Sequence, residues 1–221
     1  MGASESAAVT PGVPDAATAE RLLAEAAQIS PGAWIGHSRV TGWSARILAS
    51  NVPGLDPSIA YSNGLLHDIG RRESHTMEHV LTGYHYLSGL GYERAARIAI
   101  THAFPVKDMH AIYGEWMCSQ NEVQFVQDYI DGIEYDDYDR LIQLCDALSS
   151  SSGVCIIEQR LVDSALRRGV NERILPRWQA YLDLKRYFDQ KIGCNLYSIL
   201  PGLVDNICGF ANNGEGATEE I

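Results

Sequence analysis

No stretch of this chain alternates β-branched and polar residues between turn signals, and this missing pattern is what most constrains the fold. Without strands, the apolar residues can be buried only by packing helix on helix. Helical segments follow one another instead, each closed by a breaker. Asp15 can cap a first segment running to Ile29, with Leu22, Leu23, Ala26 and Ile29 on one side, and Pro31-Gly32 ends it. A second covers about Trp34 to Ser50 and stops at Asn51-Val52-Pro53-Gly54. Asp56-Pro57, a cap followed by proline, opens a third that reaches Ile69 and ends at Gly70. Ser74 or Thr76 opens a fourth ending at Gly89 or Gly91, and Tyr92 to about Ala103 forms a fifth, stopped before Pro105. Residues 122–130, 138–150, 155–168 and 171–192 also suit helices. The expected fold is all-α, a compact bundle of about eight or nine helices. Residues 15–210 are expected to form a single domain. The ends, 1–14 and 211–221, are small, polar and punctuated by Pro or Gly, and read as flexible tails.

Charge narrows the partners. Asp and Glu number 28 against 17 Lys and Arg, a formal charge of −11, and a chain this acidic repels a phosphate backbone, so no nucleic-acid partner is expected. No apolar run reaches the ~18 residues a membrane span needs. The N-terminus also lacks a basic start followed by an apolar stretch, so the reading is a cytoplasmic protein without membrane association. Cys118, Cys145, Cys155, Cys194 and Cys208 are odd in number and contain no CxxC pair, which argues against a thiolate zinc site or a disulfide scaffold and for buried free thiols.

Some ionisable residues fall where a solvated side chain is not expected. His67 and Asp68 close an apolar helix, after Gly64-Leu65-Leu66 and before Ile69-Gly70. Asp146 lies within Leu141-Ile142-Gln143-Leu144-Cys145-Asp146-Ala147-Leu148, a helix that faces protein on most sides. Burying such groups unpaired is costly, and a metal ion resolves both cases at once. His37 sits in the first turn of the second helix, His79 on the fourth with Gly83 a turn later leaving room for close approach, and His102 at the end of the fifth. Taken singly, each histidine is as well explained by a hydrogen-bonded structural role, and His75, His85 and His110 are read as structural or surface residues.

The order His37, His67-Asp68, His79, His102, Asp146 resembles the HD superfamily of metal-dependent phosphohydrolases over about residues 34–150, and Gly-Leu-Leu-His-Asp-Ile-Gly-Arg is similar to its recurrent LLHDIGK segment with Arg71 in place of Lys. The resemblance implies an HD-type helical domain with a metal core at about 34–150 and a helical extension over 151–210. It implies that His37, His67, Asp68 and Asp146 hold one metal, and that His79 and His102 complete a second site bridged by Asp68. Asp68 and His67 carry the catalytic assignment. The Gly-Tyr-Pro signature and the later His-His pair of the cyclic-dinucleotide-cleaving subgroup are missing.

Four imidazoles and two carboxylates without thiolate make a ligand set for one or two divalent transition metals, Fe or Mn foremost, with Co, Ni or Zn also accommodated. The implied reaction is hydrolysis of a small phosphate ester or anhydride, a nucleotide or sugar phosphate, by a metal-activated hydroxide. Arg71, Arg72 and Lys107 are candidate contacts to this phosphorylated small molecule. Two other readings remain open on the same residues: a di-iron oxygenase of HD type, and a non-catalytic metal-binding HD domain. Phe104–Met117 reads equally as a pocket-lining segment or a packed connector. Beyond Asp146, Glu158, Arg160, Asp163, Arg167 and Arg168 read as a charged helix face, and Trp178, Tyr181, Leu182, Leu184, Tyr187 and Phe188 as an aromatic packing stripe.

Overall fold

The computed structural model describes residues 12–208. Among the described residues the chain forms ten α-helices: α1 Ala16–Ile29, α2 Ala33–Ala49, α3 Pro57–Leu66, α4 His79–Gly89, α5 Glu93–Thr101, α6 Gln120–Asp131, α7 Asp137–Ala147, α8 Ile157–Arg168, α9 Ile174–Ile192 and α10 Leu203–Cys208. Two 3-10 turns, Ile69–Arg72 and Leu196–Ile199, complete the set, and the sole extended pairing is an isolated bridge between Ser149 and Val154. The all-α reading holds. The tenth helix, six residues long, is too short for periodicity to reveal.

Capping explains the starts that sequence locates well. Asp15 accepts from the Thr18 amide at 2.7 Å, and Asp56 accepts from Ser58 with Pro57 opening the helix. Ser119 and Glu122 form a capping box at α6, and Asp136 and Asp139 another at α7. The α3 helix stops at Leu66, short of the expected Ile69, because His67-Asp68 turns out of the helix while Ile69, fully buried, continues the apolar pattern. The α4 helix begins at His79 rather than at Ser74 or Thr76. The Ser74 and Thr76 hydroxyls bond each other at 3.0 Å and take the Thr76 and Glu78 amides, a local network that competes with helix. Ile29, expected on the buried side of α1, is 56% exposed.

The expected tails at 1–11 and 211–221 lie outside the described residues, as do 209 and 210 of the expected domain. Residues 12–14 are not loose: the Gly12 carbonyl accepts from the Arg94 and Ala95 amides, and Val13 is buried. Of the cysteines, Cys145 and Cys155 are buried thiols and Cys118 is half-buried, whereas Cys194 and Cys208 are exposed.

Three apolar clusters hold the bundle. One joins α1, α3, α4 and α5 through Leu22, Leu23, Leu65, Leu66 and Leu87. A second joins α2, α7, α8 and α9 through Leu48, Leu141, Leu144, Leu161 and Phe188. The third packs α4, α5 and α6 against the 104–116 connector through Val80, Ile100, Phe104 and Val126. Full burial of side chains of this kind contributes about 1.5–3 kcal/mol each. Two glycine contacts set the spacing at the centre. A Cβ on Gly64 of α3 would lie 2.6 Å from the Gly42 Cα of α2, and one on Gly70 would lie 2.0 Å from the His79 carbonyl. Backbone thus meets backbone where α2, α3 and α4 converge.

Candidate metal centre

All six residues expected as ligands converge in this packing. His37 comes from α2, His67 from the residue capping α3, Asp68 from the following turn, His79 from the start of α4, His102 from the residue ending α5, and Asp146 from α7. His37, His67 and Asp146 offer ligand atoms all within 4.8 Å of one another, and so do His67, Asp68 and His102, with His67 common to both groups. His79 joins through Asp68, its Nε2 3.0 Å from Oδ1. The four imidazoles and Asp68 are buried, while the Asp146 side chain retains 19% exposure.

Each ring is oriented by its own backbone. The Nδ1 atoms of His37, His67, His79 and His102 face the carbonyl oxygens of Ser149, Gly64, Thr76 and Ile98 at 3.2, 2.7, 2.6 and 3.2 Å. A carbonyl only accepts, so the ring proton resides on Nδ1 and Nε2 presents a lone pair to the centre. His67 Nε2 and His37 Nε2 then face each other across 3.3 Å, and His37 Nε2 meets Asp146 Oδ1 at 2.9 Å. Asp68 Oδ1, buried, has no hydrogen-bond donor. Lone pairs and carboxylate oxygens pointing at one another are repulsive as they stand, and a cation at their focus satisfies them together, which a single proton does not. The residues present therefore fit one or two divalent transition metals.

Electrostatics keeps the ligands in the form a metal needs. Burial pushes His67 down to about 3, and burial with the Arg71 charge pushes His79 down to about 4, so both rings are neutral near pH 7. Burial would raise the Asp68 carboxyl, but the Arg71 guanidinium outweighs it and holds it well below the usual carboxylate range. Asp146 is likewise held below that range, with the Arg160 guanidinium among the groups that outweigh its burial.

Arg71 belongs to the cluster: its Nε donates to Asp68 Oδ2 at 2.6 Å and its Nη2 stands 3.4 Å from His79 Nε2. Arg72 and Lys107 are placed elsewhere. The Arg72 guanidinium covers the Tyr86 ring at 4.1 Å beside Glu73, and Lys107 Nζ donates to the Ile133 carbonyl at 2.6 Å. Neither lines the chamber over the cluster. The arginines that do, besides Arg71, are Arg160, Arg168 and Arg177 from α8 and α9. Of the residues read from sequence as a charged helix face, Arg160 is half-buried, its Nη2 3.9 Å from Asp146 Oδ1, while Arg168 lines the chamber and stays exposed. Partial desolvation and the like charges of Arg71, Arg160 and Arg167 pull Arg168 below its usual value. Arg177 escapes a sequence reading almost entirely. Its single trace is its place one turn before Tyr181 on the aromatic stripe. The connector at 104–117 plays both expected parts, packed through Phe104 and Ile112 and lining the chamber through Tyr113.

Comparison with protein families matches the HD domain over residues 34–151. No curated protein and no solved structure gives a significant match.

Proposed function

The chain belongs to the HD-domain family, and from that membership and the geometry of the cluster we propose that it is a metal-dependent phosphohydrolase acting on a small phosphate ester or anhydride, a nucleotide or sugar phosphate. The observation that carries this reading is a face-to-face arrangement. Three imidazoles, His37, His79 and His102, and the two carboxylates line a chamber, with His67 fully buried in the same cluster, and Arg71, Arg160, Arg168 and Arg177 line it with them. An acidic protein that gathers arginines around a ligand cluster is built to admit an anion there.

His37, His67, Asp68 and Asp146 would hold one ion, and His79 and His102 would complete a second site that shares Asp68. Iron or manganese suits this N/O set, as do cobalt, nickel and zinc. Divalent ions held there supply Lewis acidity toward a phosphoryl oxygen and toward the attacking water. The remaining work belongs to the chain. Arg71 keeps Asp68 ionised, the backbone carbonyls fix each ring, and the arginines draw the substrate in and neutralise charge that develops on its phosphoryl oxygens. Among the described residues no helix is long and apolar enough to cross a membrane.

The test is metal analysis of protein purified without chelators, followed by phosphate release from nucleoside mono-, di- and triphosphates and sugar phosphates. The expected result is bound metal and release that Asp68→Ala lowers beyond the about 10–100-fold that losing an outer partner of a ligand costs. A metal-loaded protein inert across the panel overturns the proposal. Oxygen uptake with iron-loaded protein would assign the site to oxygenase chemistry, and failure to load any ion would leave a binding scaffold.

A further inference from the structure

Arg177 is 6% exposed, yet the partners that surround it carry no negative charge. Its Nη1 donates to the Ala111 carbonyl at 2.8 Å and its Nη2 to the Tyr181 hydroxyl at 3.1 Å, while Nε, fully buried, has no acceptor. The rings of Tyr113 and Tyr181 flank the guanidinium, with centroids 5.2 and 5.6 Å from Cζ. Trp178 Nε1 pins the Tyr113 hydroxyl at 2.6 Å. A permanently charged group held rigidly in a dry wall with part of its donor fork unused is a site that lacks its anion.

The shape of the space says which anion. The chamber between this wall and the metal ligands has a volume of about 60 Å³, room for a few waters or one phosphoryl group. Tyr113, Leu161, Arg177 and Tyr181, all buried, close its inner end. An outer cleft of about 490 Å³, in the range of small-ligand sites, shares His37, Asp68, Arg71, Arg160 and Arg168 with the chamber. An ester substituent on a phosphoryl group in the chamber therefore points away from the buried end, into this cleft or into a second one of about 310 Å³ that shares Arg71, Met77, His79, Tyr113 and Arg168 with the chamber.

We propose that Arg177 takes a free oxygen of a terminal phosphoryl group at the buried end of the chamber, so that the enzyme selects phosphomonoesters and terminal phosphoanhydrides over phosphodiesters. This rests on the phosphohydrolase reading above and narrows its substrate class. A monoester dianion presents its free oxygens both to the metal side and to Arg177 and Arg160. A diester carries one charge and one free oxygen fewer, and its second substituent finds no room at the buried end that holds Arg177. Sites built to hydrogen-bond a substrate group reject analogues lacking it by about 10⁴–10⁵-fold. Arg160, Arg168 and Arg177 all lie beyond residue 151, so the selection resides in the helical extension and not in the segment that matches the family.

The test compares p-nitrophenyl phosphate with bis(p-nitrophenyl) phosphate on metal-loaded wild type, Arg177→Met, Arg177→Lys and Arg160→Gln. It also measures the thermal midpoint of each chelator-treated protein with and without inorganic phosphate. Wild type should favour the monoester in kcat/KM by about 10³-fold or more. Arg177→Met should lower monoester kcat/KM about 100-fold with little change for the diester, and should abolish the rise in midpoint that phosphate gives wild type. Arg177→Lys keeps the charge and loses the fork, so it should fall between the two. If Arg177→Met does not fold, Arg177→Lys and Arg160→Gln carry the same comparison. Equal use of monoester and diester by wild type overturns the proposal while leaving the hydrolase reading intact. So does an unchanged ester ratio in the folded variants. Wild type inert toward both esters and across the nucleotide and sugar phosphate panel, but stabilised by phosphate through Arg177, refutes the hydrolase reading and upholds the anion site. Phosphate stabilisation unaffected by any of the variants refutes the anion site.

Discussion

Gly70→Ala changes no candidate ligand and should still dismantle the candidate metal centre. Gly70 lies in the turn that carries Asp68, against the start of α4 that carries His79. A Cβ there would stand 2.0 Å from the His79 carbonyl oxygen, 2.5 Å from the Gly83 nitrogen and 2.6 Å from Thr82 Oγ1. Two of these atoms are backbone, so no rotamer change relieves the contact. Ordinary contact begins at 3.4 Å, so the turn and α4 must separate by about 1.4 Å. Metal–ligand distances tolerate about 0.2 Å, so a displacement of this size takes His79 out of reach of an ion held by Asp68. Overpacking of this kind costs about 2–3 kcal/mol, and at about 2–4 °C per kcal/mol for a chain of this length the thermal midpoint should fall by about 4–12 °C. Gly89→Ala is the control. It lies on the same helix with nothing within 4 Å of a new Cβ, and should leave stability unchanged or raised by up to about 1 kcal/mol. Metal stoichiometry by mass spectrometry of the ions, set beside a thermal melt, reads both effects. Wild-type stoichiometry and a midpoint within about 2 °C of wild type in Gly70→Ala would refute the claim that this backbone contact sets the site.

Two further outcomes follow from buried charge. With metal removed, stability should fall as pH drops below 6.5, because unfolded His67 and His79 take up protons there while the folded rings do so only at about 3 and about 4. The contribution is complete above 6.5 and is lost toward pH 4, at up to about 1.4 kcal/mol per pH unit for each ring. A urea midpoint that stays flat from pH 7.5 to about 5 in the presence of chelator would contradict it. Arg97→Ala should destabilise by about 3–5 kcal/mol, because Asp139 is fully buried and Arg97 Nε donates to both its oxygens at 3.1 Å. Thr101 and the Asp136 amide would be the donors left to it, and a denaturation midpoint within error of wild type would refute the assignment.

The helices were legible because the signals that start and stop them are local: a cap, a proline or a glycine acts within one turn. The candidate ligands were legible for a related reason. His67, Asp68 and Asp146 are ionisable groups embedded in apolar sequence, and burying them demands compensation whatever the topology. Where sequence and structure part, a distant contact decides. Ile69 continues the apolar pattern of α3, but the chain leaves the helix at His67-Asp68 and meets α4 at Gly70.

The arginine wall shows the division most clearly. On α8, Arg160 and Arg168 sit in a run that periodicity assigns to solvent, and nothing along the chain says that this face is laid over α7 and Asp146. Arg177 reads as one more polar residue until α9 places it between two tyrosines. Sequence alone determined that the chain is helical and that it sets imidazoles and carboxylates, side chains able to bind metal, within apolar segments. Tertiary structure alone decided what stands opposite them, because the cost of burying an ion is set by the residue that carries it, whereas the orientation of one helix against another is set by every side chain at their contact.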